Sequence, residues 1–270
     1  MKIALTGGTG FIGSHVLTEL RDHSHEVVAL VRDDAQADRV AARGATPAVV
    51  DLYDRPAVTG LLSDADGAVH TASPGEPYLQ ISGLWVYGSN TAITEDSPVD
   101  APPLVAWKTP IERRVLGAAG LRGAVLVSSV AYGDGGGGIP GVLLGSPRDA
   151  AGNLVMLGTG RQHWSTVHAA DLADAFRRVL EDDSARGYYV IGDGTNQTVA
   201  ELTEAAAVAV GAPGAVPGSD TEARARLGDY FAEVLLLDQG TTAARARDEL
   251  GWRPARPSLA AEFRHGSYRR

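Results

Sequence analysis

The stretch Lys2-Ile3-Ala4-Leu5-Thr6-Gly7-Gly8-Thr9-Gly10-Phe11-Ile12-Gly13 decides the fold. Lys2-Ile3-Ala4-Leu5 reads as a short buried strand. A helical pattern follows, with Val16, Leu17 and Leu20 on one face. Glycines at 7, 10 and 13 join the two. The first allows a sharp turn, the second lets backbone approach a pyrophosphate, and the third lets helix and strand pack closely. The phosphates of a dinucleotide would then meet unpaired N–H groups and the positive end of the helix dipole. A strand before and a helix after give a glycine triplet this meaning. The candidate contacts are Gly7, Thr9, Gly10, Phe11, Ile12 and Gly13.

Outward from this turn, strands and helices alternate. Strand patterns at Lys2–Leu5, Glu26–Val31, Thr46–Val50 and Gly67–Thr71 are separated by helical patterns at Ile12–Arg21, Ala35–Ala42 and Arg55–Leu62. That order predicts an α/β fold with a doubly wound parallel sheet, and ligand bound beyond the carboxyl ends of the strands. The order then breaks. Only Ser73-Pro74-Gly75-Glu76-Pro77 stands between the fourth strand, with its trailing Ala72, and a fifth at Tyr78–Ser82. Parallel neighbours need a crossover of about a dozen residues. Either these strands are not neighbours, or a crossover of about 20–30 residues is missing between Gly75 and Tyr78; the second is the expectation.

The second half predicts a helix over Val105–Ala118, a strand at Ala124–Ser128 and a mobile glycine loop at Gly135–Gly138. Helices at His168–Leu180 and Thr198–Val210 follow, then a Pro/Gly linker at Gly211–Ser219 and a last helix at Thr241–Leu250. Residues 1–130 read as the dinucleotide-binding domain. Residues 131–270 read as a small substrate lobe interleaved with the last strands.

With 24 basic residues against 33 acidic ones, the net charge of -9 argues against a nucleic-acid partner. The absence of cysteine rules out a disulfide, a thiolate nucleophile and a Cys-based zinc site. No leader or membrane-length apolar run stands out, so a cytoplasmic protein without a membrane partner is expected. Arginine and alanine are abundant, while Lys2 and Lys108 are the only lysines, a bias typical of GC-rich bacterial genomes. His168 and Asp171 lack further ligands for a metal, so no metal is expected; Asp171 suits a capping role at a helix start.

Several motifs in order along nearly the whole chain resemble the extended and atypical short-chain dehydrogenase/reductase families, the NAD-dependent epimerase/dehydratase group. They are Thr6–Gly13, Asp51-Leu52, His70-Thr71-Ala72, Val86-Tyr87-Gly88, Lys108 with Glu112, Val130–Gly133, Val167-His168 with Asp171-Leu172, and Leu250-Gly251-Trp252 with Pro254. The resemblance implies a Rossmann sheet, a bound nicotinamide cofactor and a small C-terminal substrate lobe. It also implies Asp51 and Leu52 near the adenine, Thr71 and Ala72 near the cofactor ribose, and a homodimer as the oligomer to test.

Cofactor choice has a physical argument. NAD sites place an acid at the end of the second strand, on the ribose 2′-OH. Here Val31 ends that strand and Arg32 follows, a fork that suits the 2′-phosphate of NADP. NADP is therefore expected over NAD.

The resemblance also implies a tyrosine four residues before the catalytic lysine and an upstream Ser or Thr. Lys108 takes the lysine's place, but Leu104 stands at the tyrosine position and Gly83 at the hydroxyl position, with Ser82 one residue earlier. Ser82, Tyr87 and Tyr132 are the substitute proton carriers, and Lys108 a ribose-binding or catalytic group. Arg161 and Trp164 are candidates to line a substrate pocket, and Trp252 to anchor the C-terminus. The expected function is an NADP-dependent oxidoreductase acting on a small carbonyl or alcohol. The alternatives are a sugar-nucleotide epimerase or dehydratase, and a non-catalytic NADP-binding regulatory or sensor protein.

Overall fold

The glycine turn joins β1 (Lys2–Thr6) to α1 (Phe11–Asp22). The computed structural model describes residues 1–71 and 79–269. The alternation continues through β2 (Glu26–Val31), α2 (Asp34–Ala41), β3 (Thr46–Val49), α3 (Arg55–Ser63), β4 (Gly67–His70), β5 (Leu79–Gly83), α4 (Lys108–Leu116) and β6 (Ala124–Ser128). Then come β7 (Val130–Tyr132), α5 (Gly138–Leu144), β8 (Thr166–His168), α6 (Ala169–Glu181) and β9 (Gly187–Ile191). The chain ends with α7 (Val199–Ala209), α8 (Asp220–Leu227), α9 (Asp229–Leu235), α10 (Ala244–Glu249) and α11 (Leu259–His265).

The central sheet has the order β9-β6-β5-β4-β1-β2-β3, every pair parallel. Strands covered on both faces need apolar residues at every position, and β6 (Ala-Val-Leu-Val-Ser) is buried throughout. Leu172, Phe176 and Val179 of α6 and Val16, Leu17 and Leu20 of α1 share a core with Ile3 and Leu5 of the sheet. Val58, Leu61 and Leu62 of α3 pack on Ala4, Leu30 and Ala68. Val69 pairs with Leu79 and His70 with Gln80, so β4 and β5 are parallel neighbours. Their link, and the crossover expected to be missing between Gly75 and Tyr78, lie outside the described residues.

Beyond β6 a second core gathers Tyr132, Leu143, Trp164, Leu202, Leu235 and Phe263. Asp171, in the first turn of α6, ties the C-terminal segment to the sheet domain. Its carboxylate accepts from the N–H groups of Ala255 (3.1 Å) and Arg256 (3.0 Å), and its carbonyl accepts from Trp252 Nε1 at 2.8 Å. Trp252 is fully buried. His168 itself caps α6, its Nδ1 accepting from Ala170 N at 3.1 Å. Arg122 closes the other end of α6, donating to the carbonyls of Val179, Leu180, Asp182 and Ala185, where a cation also meets the negative end of the helix dipole.

Four expectations are corrected. The helix expected from Val105 starts at Lys108, because Pro102–Trp107 closes i→i+3 turns (Val105 N to Pro102 O, Lys108 N to Val105 O). The helix expected over Thr241–Leu250 is a short strand, Gln239–Thr241, followed by α10; the strand pairs with Asn90–Ile93, a partner about 150 residues away that no local pattern reveals. The linker at Gly211–Ser219 contains Ala215–Val216, paired with Leu154–Val155. The glycine loop is held rather than free. Gly133 N donates to Tyr268 Oη at 2.8 Å, Gly135 N donates to Ser267 Oγ at 2.7 Å, and Gly138 already begins α5.

Candidate functional site

At the turn, Gly10 N donates to Gly7 O at 2.8 Å, and the first bond of α1 runs from Ser14 N to Gly10 O. Phe11, Ile12 and Gly13 therefore keep their N–H groups free of helix partners, and no side chain caps them. A Cβ on Gly13 would stand 2.1 Å from Gly7 O and 2.5 Å from Thr71 Oγ1. Only a hydrogen fits there, so the helix end is pressed against the end of β1. The lobe reaches the same place: a Cβ on Gly136 would lie 2.6 Å from the Phe11 ring. An uncapped, side-chain-free helix N-terminus fits a pyrophosphate.

Guanidinium groups surround this turn. Arg39 Nη2, on α2, donates to Thr9 O at 3.0 Å, and Arg43 Nη1 donates to Ser14 O at 3.3 Å. Both line a cavity of about 220 Å³ with Gly8, Thr9, Gly10 and Ser14. Arg32 follows the end of β2 and is exposed, while Asp33 is spent on capping α2, accepting from Gln36 N at 2.8 Å. Sequence reading found Arg32 and missed Arg39 and Arg43. Arg39 lies on α2 and Arg43 two residues beyond its end, and which side of that segment faces the glycine loop is set by packing.

The other dinucleotide candidates have defined places. Asp51 Oδ1 accepts from Tyr53 N at 2.9 Å, and the cap of α3 falls to Asp54. Leu52 packs on the cluster under α3. Thr71 Oγ1 donates to Thr6 O at 2.8 Å. Ala72 lies outside the described residues.

The catalytic candidates divide into two groups. Lys108 opens α4, its Nζ 4.8 Å from the centre of the Trp107 ring. Burial lowers its pKa and the Glu112 carboxylate opposes that shift. His70, at the carboxyl end of β4, shares a 2.5 Å bond between its Nδ1 and Thr6 Oγ1. Burial, and then the charge of Lys108, push the imidazole down to about 4, so it is neutral at pH 7. Lys108, His70 and Thr6 thus gather at the sheet edge that carries the glycine turn. His70 was read only as part of a strand-end motif.

The second group sits under α4. Ser82 is buried and its hydroxyl donates to Glu112, itself 2% exposed. Burial, and then the Glu112 carboxylate, push the Tyr188 phenol up to about 12. Tyr87 is buried, and burial, followed by the carboxylates of Glu112 and Glu95, raises its pKa. Tyr87, Thr109, Glu112 and Tyr188 line a cavity of about 430 Å³. Tyr132 is fully buried, its hydroxyl donating to Pro257 O at 2.8 Å, and burial raises its pKa. Trp164 is also buried, its Nε1 donating to Leu235 O, whereas Arg161 is exposed. Leu104, at the tyrosine position, is 38% exposed and brings no proton. Among the described residues no cluster of His, Asp or Glu could hold a metal ion, and no helix is long and apolar enough to cross a membrane.

Residues 7–137 match a family model described as NAD(P)H-binding. The chain is 26% identical to the mouse "Epimerase family protein SDR39U1", with 98% of this chain and 99% of the relative covered. That match runs over 295 positions against 270 residues here, so the relative carries segments with no counterpart in this chain. A crystal structure of human epimerase family protein SDR39U1 with NADPH is similar at a TM-score of 0.71 and 25% identity, with 99% of both chains covered. A Thermus thermophilus UDP-glucose 4-epimerase complexed with NAD shares the fold, with a TM-score of 0.73 at 21% identity and 99% of both chains covered.

Gly10→Val tests the pyrophosphate assignment. Among the described residues, a Cβ there meets Gly7 O alone, at 3.2 Å, so the fold should persist. Dinucleotide affinity should fall about a hundredfold or more as the phosphate path is blocked. Titration of a folded variant, checked by circular dichroism, that shows unchanged affinity would refute it.

Proposed function

Because the chain is an NAD(P)-binding member of the extended short-chain dehydrogenase/reductase family, epimerase type, we propose that it is an NADP-dependent oxidoreductase acting on a small carbonyl or alcohol. The observation that carries the cofactor choice is the pair of guanidiniums at Arg39 and Arg43 lining the cavity at the glycine turn, with Arg32 and no acid directly after the end of β2. A guanidinium fork pairs with phosphate oxygens in two parallel bonds, whereas a ribose hydroxyl calls for an acceptor there. The NADPH in the human relative's structure agrees with this choice.

In the reductive direction, the chemistry that NADPH would supply when bound is a hydride for the carbonyl carbon. The chain's own groups do the rest. The free N–H groups of Phe11, Ile12 and Gly13 would hold the pyrophosphate, and the arginines would hold the 2′-phosphate. Lys108 takes the task that a tyrosine would have had. Its ammonium polarises the substrate oxygen and then gives it a proton. Burial makes that proton easier to release than from an ordinary lysine. Ser82 holds Glu112 in place, which keeps a carboxylate four residues beyond Lys108 on the same helix.

One alternative has specific support. Leu104 and the internal bonding of Ser82 and Tyr132 suit a protein that binds NADP without turning substrate over. The absent tyrosine weighs against the sugar-nucleotide epimerase alternative. Survival of a half-buried Lys108 in a chain with only two lysines favours chemistry.

Two tests follow. Replacing Arg32 and Arg39 together by Ala should weaken NADPH about tenfold or more beyond any loss for NADH, each contact being a charge-assisted bond. Equal losses for both cofactors would remove the arginines from the 2′-phosphate. For Lys108, turnover of small aldehydes and ketones with NADPH should fall as pH rises, with a midpoint below the ordinary lysine value of 10.5. Lys108→Met should abolish turnover while cofactor still binds. Full turnover in that variant would exclude Lys108 as the proton source.

A further inference from the structure

The glycine loop after β7 takes its shape from outside. Gly133 and Gly135 hold positive φ angles of 127° and 70°, and glycine loses more freedom on being fixed than any other residue. Gly136 N donates to Gly133 O at 2.8 Å and closes a tight turn. That turn leaves Gly133 N and Gly136 O to find partners elsewhere, and one hydroxyl serves both. Tyr268 Oη accepts from Gly133 N at 2.8 Å and donates to Gly136 O. Burial pushes this phenol up to about 12, so it keeps its proton at ordinary pH and stays a donor. Ser267 adds a further bond, its Oγ accepting from Gly135 N at 2.7 Å and donating to Glu262 at 2.7 Å. Tyr268 is itself anchored in the lobe, 5% exposed and edge-on against Phe263 of α11, ring centres 5.2 Å apart.

The loop so held borders the helix end that would meet the dinucleotide. A Cβ on Gly136 would stand 2.6 Å from the Phe11 ring, so loop backbone rests directly on the residue that opens α1. Phe11 also carries the first of the three free N–H groups. One turn further along α1, His15 Nε2 lies 3.5 Å from Asp134 Oδ2 of the loop. The wall beside the phosphate site is therefore positioned by side chains that follow the loop by 132 and 135 residues.

We infer that Tyr268 is a positioning residue for the dinucleotide site: with Ser267 it latches the glycine loop against Phe11, and bound cofactor leaves when that latch opens. The inference rests on the dinucleotide reading of the glycine turn. Opening of a loop packed over a ligand commonly sets the rate of release. Loss of the latch bonds frees the loop to lift without touching the N–H groups or the arginines. The effect therefore falls on dissociation more than on association.

Stopped-flow displacement of NADPH by excess NADP, followed by nicotinamide fluorescence, reads the dissociation rate. Tyr268→Phe keeps the ring and removes both hydroxyl bonds; it should release NADPH about tenfold or more faster than wild type, and Ser267→Ala should show a smaller increase. Ser219→Ala is the control, since it removes the cap of α8 elsewhere in the lobe. It and Tyr268→Phe should both melt about 2–4 °C below wild type, but only Tyr268→Phe should speed release. Gly136→Ala reaches the same opening by another route, its Cβ pressing on the Phe11 ring, and should also release NADPH faster. Wild-type release rates in folded Tyr268→Phe and Gly136→Ala, or an equal acceleration in Ser219→Ala, would overturn the latch. Wild-type protein that binds neither NADPH nor NADH would instead sink the dinucleotide reading, and the latch with it.

Discussion

The close approach of α1 to the end of β1 is the constraint on which the rest of the site depends. Gly13 lies so near Gly7 O and Thr71 Oγ1 that no side chain could intervene. That contact aims three unpaired N–H groups across the edge of the sheet. It also sets Phe11 against the lobe loop at Gly136, so the two halves of the chain meet at the same helix end. Asp171 and Trp252 tie the C-terminal segment back to α6, which shares a core with α1. The geometry of the turn is thus held from the sheet, from α6 and from the lobe.

Electrostatics then sorts the surface. The chain is acidic overall, with a net charge of -9, yet Arg39 and Arg43 line the cavity at the glycine turn and Arg32 follows the end of β2. A local positive field against an acidic background attracts a polyanionic cofactor without making the whole surface sticky to nucleic acid. The charges inside the site are arranged differently. Lys108 and neutral His70 share a part-buried edge, and the Glu112 carboxylate accepts from Ser82.

Much of the fold was legible because its signals are local. A strand, three spaced glycines and an apolar helical stripe sit within twenty residues, and β2, β3 and β4 followed as runs of β-branched and small apolar residues. Arg32 could be read because it sits next to a strand end. What was missed depends on partners far along the chain. The strand Gln239–Thr241 exists through pairing with Asn90–Ile93. Ser82 is fixed by Glu112, thirty residues on. Arg39, on α2, and Arg43, in the turn after it, needed the orientation of that segment, which an exposed, weakly apolar helix does not reveal. The parallel pairing of β4 with β5 removes one of the two explanations for their short link.

Cofactor choice joins the glycine turn to the arginine cluster, and calorimetric titration of the unaltered protein with NADPH and with NADH tests it most directly. The arginines predict that NADPH binds about tenfold or more tightly than NADH, with one molecule per chain. NADH binding as tightly as NADPH, or neither binding, would contradict it.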